Sequence, residues 1–243
     1  MGIEFFSTYG PETTSVGVPA WLDLTAVVVG SLSGIIVARE RKLDLVGFIG
    51  LSLLCGLGGG LIRDIMMQKG GVYMLSSPYA IPACVIAAVV LFLFPRPLDL
   101  FPNLLEWVDI VSVGLFAVIG TDKALVYYLL PVSALLMGTI TGIGGGMLRD
   151  VFLGDVPRIF QHSNLYATCA LAGSLAYWLG TYVFFLLKPW AALLAVVVTV
   201  ALRRWSLRYD VMIPVDVDLT PQVTRPVRKV VRSARRLRAI RRH

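Results

Sequence analysis

The chain is poor in charged residues. They make up 15% of its 243 positions, whereas a soluble domain usually carries about 25%. Hydrophobic residues reach 57%, and apolar runs near 20 residues recur, the length that crosses a hydrocarbon core of about 30 Å. These runs are apolar on all sides, unlike the one-sided helices of soluble proteins. The composition therefore predicts an integral membrane protein and excludes a soluble domain.

Cysteine and histidine are scarce, and their positions exclude two kinds of site. Cys55, Cys84 and Cys169 lie in apolar segments, and neither their odd number nor their spacing fits a disulfide framework or a zinc site. His162 and His243 are too few and too far apart to suggest a metal site. No nucleophile–base pair is recognisable either. We therefore predict no metal, no cofactor and no enzymatic activity.

Hydropathy predicts seven transmembrane spans that are joined by short connections. The predicted spans are residues 21–39, 44–67, 78–95, 105–122, 130–153, 164–187 and 189–204. Residues 1–20 precede them without a basic residue, so they lack the basic start of a signal peptide. Residues 205–243 follow them as a polar tail. The predicted fold class is therefore an all-α membrane protein.

Lysine and arginine are distributed unevenly along the chain. Twelve of the 22 basic residues lie between Arg203 and Arg242, and the regions after the first, third and fifth spans also carry arginine. The N-terminal segment has no basic residue, and the connections on that side have few, among them Lys123. Cytoplasmic loops of membrane proteins are enriched in basic residues. The bias predicts a multi-pass protein with its N-terminus outside the cell and its C-terminus in the cytoplasm.

The two halves of the chain repeat each other at a constant offset of 86 residues. At this offset Gly58–Gly60 falls on Gly144–Gly146. The other matched pairs are Trp21 and Trp107, Asp23 and Asp109, Arg63 and Arg149, and Asp64 and Asp150. Each unit, residues 21–95 and 105–187, has three predicted spans, and an odd number of spans inverts the second unit in the membrane. We predict an inverted three-plus-three repeat followed by one C-terminal helix, residues 189–204.

Three consecutive glycines stand inside the second and the fifth predicted span. Glycine in a helix costs about 1 kcal/mol relative to alanine and leaves backbone carbonyls uncovered. We favour a kinked or unwound helix that lines a path, since irregular backbone in a membrane must face protein or water. Close helix packing is compatible with this, because Gly56-x-x-x-Gly60 and Gly142-x-x-x-Gly146 have small-residue spacing. The candidate pore residues are Gly58, Gly59, Gly60, Gly144, Gly145 and Gly146. Neither run has the strand–loop–helix context of a nucleotide site.

The charged residues that follow the glycines are the second candidate feature. Ionisable residues within membrane spans are costly and usually face the bundle interior or water. Adjacent helical residues point about 100° apart, so a pair between Arg63 and Asp64 cannot be assumed, and carboxylates on other spans are candidate partners of Arg63. The candidate partners are Asp23, Asp109 and Asp150. Arg63 and Arg149 either flank a path or lie near the two membrane surfaces, where they snorkel to the interface.

Asp23 and Asp109 open the first span of each unit. We favour ordinary helix-start acids near the interface, with a role in the path as the alternative. Together the candidate pore charges are Arg63, Asp64, Arg149, Asp150, Asp23 and Asp109.

The C-terminal segment from Arg225 to Arg242 contains nine basic residues, with aliphatic residues at helical spacing between them. This pattern fits a basic amphipathic helix on anionic lipid of the inner leaflet. A disordered tail that only enforces the topology fits it equally. Nucleic acid is not an expected partner.

The doubled Gly-Gly-Gly-x-x-Arg-Asp, within a three-plus-three-plus-one layout, resembles the prokaryotic trimeric intracellular cation (TRIC) channel family, whose domains have also been named putative glycine transporters. The resemblance covers residues 21 to about 204. It implies a homotrimer in the plasma membrane of a prokaryote, with one pore in each protomer. It further implies that the second and fifth helices are broken at their glycines and line a pore for monovalent cations, foremost potassium.

Two other functions stay open at this stage. A secondary transporter of a small zwitterion such as glycine would use the adjacent arginine and aspartate beside broken helices. A membrane scaffold without transport is the third hypothesis.

Overall fold

The computed structural model describes residue 17 and residues 19–96, 103–161 and 165–209. Within these ranges the secondary structure is helical and contains no strand, which confirms the predicted all-α fold class. The helices are α1 (Ala20–Glu40), α2 (Leu45–Met67), α3 (Tyr73–Ser76), α4 (Ala80–Leu93), α5 (Leu104–Val126), α6 (Pro131–Phe152), α7 (Tyr166–Trp178) and α8 (Lys188–Arg208). A π-helical turn, Leu179–Val183, extends α7. Nearly all of the N-terminal segment and the basic tail from residue 210 onward lie outside the described residues.

Five helices are long and apolar enough to cross a membrane, namely α1, α2, α5, α6 and α8. The other two predicted spans are shorter than expected. Helix α4 has 14 residues and α7 has 13, so at 1.5 Å per residue the α-helical part of each is about 20 Å long, less than the hydrocarbon core of about 30 Å. The π-helical turn adds five residues to α7. Both begin at matching positions of the repeat, Ala80 and Tyr166, which are 86 residues apart.

Helix boundaries follow local backbone chemistry. The Asp44 carboxylate accepts a hydrogen bond from the Gly47 amide at 2.8 Å and caps the start of α2. Gln68, in the left-handed conformation with φ of 50°, ends α2 and turns the chain back towards the helix. Pro131 occupies the first turn of α6, where its missing amide costs no hydrogen bond. Two helices end later than their predicted spans. Helix α5 continues beyond residue 122 to Val126, because paired charges do not end a buried helix, and α8 continues beyond residue 204 to Arg208.

The packing of the described residues centres on α2 and α6, which contact each other, while α1 lies against α2 and α5 lies against α6. One buried apolar cluster joins α1, α5 and α8 through Ala26, Ile119 and Ala195. Large apolar side chains elsewhere point away from the protein, for example Ile86 and Leu93 on α4. An apolar outer surface is what a lipid environment requires. The molecule is therefore an all-helical, multi-pass membrane protein.

Candidate functional site

Helices α2 and α6 approach each other closely at their glycines. A methyl group added at Gly145 would lie 2.5 Å from the Cys55 carbonyl oxygen. At the matching position of the other unit, a methyl group at Gly59 would overlap the carbonyl oxygen of Thr141. Cys55 and Thr141 are themselves 86 residues apart, so each helix makes the same contact with the other. Only glycine allows the two backbones to come this close.

The other glycines of the two runs pack less tightly against neighbouring backbone than Gly59 and Gly145 do. Gly58 faces the end of the Leu148 side chain, whereas a methyl group at Gly144 would lie 3.0 Å from the Cα atom of Gly59 and 3.3 Å from the Ile62 side chain. Gly60 has room for a methyl group, because the nearest atom to it would be a guanidinium nitrogen of Arg63 in ordinary contact at 3.8 Å. The two glycine runs therefore differ from position to position in how tightly they pack.

The prediction that the helices are broken at these glycines is wrong for this structure. Helix α2 runs without interruption from Leu45 to Met67, and α6 runs without interruption from Pro131 to Phe152. The backbone hydrogen bonds of a continuous helix cover the carbonyls that an unwound segment would expose, and the close contact between backbones favours the continuous form. The role of the glycines in a pore stays a prediction.

A first charge cluster, made of Arg63, Asp64 and Lys123, is buried near the C-terminal ends of α2 and α5. Arg63 Nε donates to Asp64 Oδ1 at 2.7 Å, and Lys123 Nζ donates to the same oxygen at 2.8 Å. The other carboxylate oxygen accepts the backbone N–H of Tyr73 at 2.9 Å, because the chain turns back after α2. Lys123 Nζ also reaches the Gly71 carbonyl at 3.3 Å. One carboxylate thus holds two cations and the loop that follows α2.

A second charge cluster, made of Asp109, Arg149, Asp150 and Arg158, lies in the other unit. Arg149 is 1% exposed, and its Nε donates to Asp150 Oδ1 at 2.9 Å. Its Nη1 donates to Ser33 Oγ at 2.8 Å and lies 3.5 Å from Asp109 Oδ1. The Arg158 amide donates to Asp150 Oδ2 at 3.2 Å, which is the same role that the Tyr73 amide plays in the first cluster.

Asp109 is the most connected acid of the second cluster. Its Oδ1 accepts the Ser33 hydroxyl at 3.3 Å in addition to Arg149. Its Oδ2 accepts Arg158 Nη1 at 3.2 Å and the Tyr166 hydroxyl at 3.1 Å. A buried carboxylate needs such partners to offset its lost hydration, so Asp109 is fully satisfied within this cluster.

Asp122 lies beside Lys123 on α5, but it faces α7 and α8. Its Oδ1 accepts the Tyr177 hydroxyl at 2.6 Å and lies 3.0 Å from Lys188 Nζ. Only 2% of Asp122 is exposed. These contacts connect the start of α8 to the second repeat unit.

Several expectations about the charged candidates require correction. Arg63 pairs with its neighbour Asp64 rather than with a carboxylate on another span, because the long arginine side chain folds back along the helix until Nε reaches it. Arg149 does the same but also meets the predicted partner Asp109. Both arginines are buried in the protein, so neither snorkels to a surface. Asp23 is 6% exposed and Asp109 is 4% exposed, so neither is a solvated helix-start acid.

Asp122 is not among the residues predicted for the site, and Lys123 was predicted to lie in a connection between spans. The repeat contained a signal for both. At the offset of 86 residues these two charges match Ile36 and Val37, so they are additions to one unit at positions that are apolar in the other. A charge that breaks an otherwise apolar repeat position needs a specific partner, and in the structure each of them has one.

The chain is similar to proteins of a known family. The sequence profile of a family described as "Glycine transporter" matches twice, over residues 20–96 and 106–182, and the two matches begin and end 86 residues apart. The chain is 31% identical over 195 residues to the UPF0126 inner membrane protein YadS of Escherichia coli, covering 80% of this chain and 94% of that protein. A UPF0126 membrane protein of Deinococcus radiodurans is 32% identical over 197 residues, covering 80% and 90%.

Solved structures give the same likeness in three dimensions. The TRIC trimeric intracellular cation channel orthologue from Rhodobacter sphaeroides superposes with a TM-score of 0.71 at 31% identity, covering 79% of this chain and 97% of that chain. A prokaryotic TRIC channel crystallised in 0.5 M KCl superposes with a TM-score of 0.68 at 26% identity, covering 78% and 95%. None of the proteins named here is described as an enzyme.

Proposed function

This chain belongs to the prokaryotic TRIC channel family, whose sequence profile carries the description "Glycine transporter", and we propose that it is a channel for monovalent cations. The observation that carries this proposal is the likeness to a solved cation channel over 97% of that channel's length. The buried ion pairs at α2 and α6 support it, because ionisable groups inside a membrane protein commonly mark an ion path.

We place the path along α2 and α6, past Gly58–Gly60 and Gly144–Gly146, within each protomer. The backbones of α2 and α6 are in contact at Gly59 and Gly145. Opening of the proposed path therefore requires the two helices to separate at these glycines. The first and second charge clusters then flank the path at its two ends. Arg63 and Arg149 shape the field, and Asp64 and Asp150 compensate them. Potassium is the proposed principal ion.

A transporter of a small zwitterion such as glycine is the second candidate, favoured by the description of the family profile. Such a site would bind the substrate carboxylate through an arginine and the ammonium through an aspartate. In the first charge cluster, however, Arg63 Nε and Lys123 Nζ both bind Asp64. Asp64 is thus already bound to two cations and is not available for a substrate ammonium, which favours the channel.

Recording from purified protein in planar bilayers tests the proposal. We expect discrete unitary currents in KCl whose reversal potential follows the cation gradient, with smaller or equal currents in NaCl. Proteoliposomes with radiolabelled glycine provide the comparison. Saturable glycine uptake without unitary currents would refute the channel and support the transporter, and absence of both would support the scaffold.

We further propose an inverted seven-span arrangement, a homotrimeric assembly, a bacterial plasma-membrane location and a cytoplasmic C-terminus. The inner-membrane relative supports the location, and the trimeric channel orthologue supports the assembly. Mass measurement in detergent checks the trimer, and a C-terminal reporter active only in the cytoplasm checks the orientation. The basic tail is proposed to bind anionic lipid, so removing residues 210–243 should weaken binding to vesicles that contain phosphatidylglycerol.

A further inference from the structure

The two repeat units touch each other beyond both ends of α2 and α6, at matching positions but through different chemistry. At one end, Arg41 in the connection between α1 and α2 forms an ion pair with Asp155 in the turn after α6. Their counterparts at the offset of 86 residues are Tyr127 and Lys69. At that other end the Tyr127 ring lies against Gly70, where an added methyl group would overlap the tyrosine hydroxyl. We call the first the ionic end and the second the aromatic end.

The buried contacts behind these outer contacts differ in the opposite sense. At the aromatic end, Lys123 of one unit binds Asp64 of the other at 2.8 Å, and their side chains are 3% and 0% exposed. At the ionic end, Arg149 donates to the Ser33 hydroxyl of the other unit at 2.8 Å. Parting there would leave Arg149 paired with Asp150 of its own unit. Parting at the aromatic end would break a buried ion pair, which is strongly unfavourable. The ionic end is therefore the easier one to open.

The outer ion pair is held by well-defined turns, yet water reaches it. The amide of Arg41 bonds back to a carbonyl of α1, and the left-handed Lys42, with φ of 54°, closes that turn. The amide of Asp155 bonds back to a carbonyl of α6 after Gly154, which has φ of 75°. The pair therefore reports the positions of the two helix ends. Its side chains are 50% and 41% exposed, so dissolved salt screens it.

We propose that Arg41 and Asp155 form a latch that keeps the ionic end closed, and that the two units part at this end while the aromatic end acts as the pivot. An exposed ion pair changes an equilibrium constant by only about 1.5- to 5-fold, which suits a contact that opens and closes repeatedly. Ionic strength therefore regulates the opening. The inference rests on the proposed function and adds to it the end from which α2 and α6 begin to separate.

Distances between spin labels test the latch without relying on currents. One label pair replaces the exposed residues Lys42 and Val156 at the ionic end, and the matched pair replaces Tyr128 and Lys69 at the aromatic end. The native cysteines are buried and do not compete for the label. Raising the salt from about 0.1 M to about 1 M shortens the Debye length from about 10 Å to about 3 Å. This change, or Arg41→Gln, should lengthen the 42–156 distance and leave the 69–128 distance unchanged. An unchanged 42–156 distance would overturn the latch, and equal lengthening of both distances would overturn the pivot.

A double-mutant cycle in planar bilayers tests the same pair through the open probability. Arg41→Gln and Asp155→Asn should each raise the ratio of open to closed channels by about 1.5- to 5-fold, because each removes the same ion pair. The double variant should show no further increase. Lys69→Gln, which removes a charge at the position that matches Asp155, is the control and should leave the ratio unchanged. Effects of the two single variants that multiply in the double variant would show independent residues and overturn the latch.

The two measurements separate failure of the latch from failure of the channel. A wild type without unitary currents, whose 42–156 distance still lengthens in salt, would refute the channel and support the latch. Unitary currents that respond neither to Arg41→Gln nor to Asp155→Asn would support the channel and overturn the latch.

Discussion

Replacing Gly145 by alanine should loosen the contact between α2 and α6. The added methyl group would lie 2.5 Å from the Cys55 carbonyl oxygen, whereas ordinary contact begins near 3.4 Å. The obstacle is backbone and cannot rotate away, so the two helices must separate by about 1 Å or distort, and overpacking of this kind costs about 1–3 kcal/mol. Alanine also improves helix propensity by about 1 kcal/mol, which partly offsets the loss of stability from the overlap.

Gly60→Ala provides the matched control. It gains the same helix propensity but meets no atom closer than 3.8 Å. The difference between the two variants therefore isolates the overlap, and we expect Gly145→Ala to be less stable than Gly60→Ala by about 1–3 kcal/mol. Unfolding in mixed detergent micelles, followed by tryptophan fluorescence in a potassium-free buffer, measures both. Equal stabilities would refute the conclusion that glycine is required at this contact.

Two further predictions concern the buried charges. Asp64→Asn leaves Lys123 and the adjacent arginine without their shared carboxylate, so the free energy of unfolding should fall by about 3–5 kcal/mol; a loss below 1 kcal/mol in the same micelle assay would contradict a buried ion pair. Tyr177→Phe removes the 2.6 Å hydrogen bond to Asp122 and should cost about 1.5–3 kcal/mol. Tyr182→Phe, at a side chain that is 53% exposed, should cost about 0.5 kcal/mol or less, and equal losses in the two tyrosine variants would argue against the buried hydrogen bond.

The repeat is the part of the fold that the sequence predicts best. Polar and glycine residues are rare in membrane spans, so their recurrence at one offset is informative even without any structure. Gly59 and Gly145, matched by that offset, make equivalent contacts. Asp109 and Arg149, both candidates from the same alignment, meet in the second charge cluster. Family membership follows from the same residues.

Partner choice within the site was much harder to predict. Hydropathy ends a span at a charged residue, and this rule placed Lys123 in a loop although it lies inside α5, bound to Asp64. The rule fails because a buried charge is tolerated when a distant residue compensates it, and that residue is 59 positions away in the sequence. The spacing of residues on a helix likewise does not predict where a flexible side chain ends. Arg63 folds back along the helix and pairs with its neighbour Asp64.

The short helices α4 and α7 have a consequence for the surrounding lipid. The α-helical part of each is about 20 Å long, with a π-helical turn of five residues added to α7, and they occupy matching places in the two units. A bilayer that contacts both must become thinner around the protein, or the helices must stay nearly perpendicular to it while their neighbours tilt. Either adjustment costs a fraction of a kcal/mol per Å of mismatch. Stability should therefore rise in lipids with shorter acyl chains, so that the thickness of the host membrane becomes part of what holds this fold together.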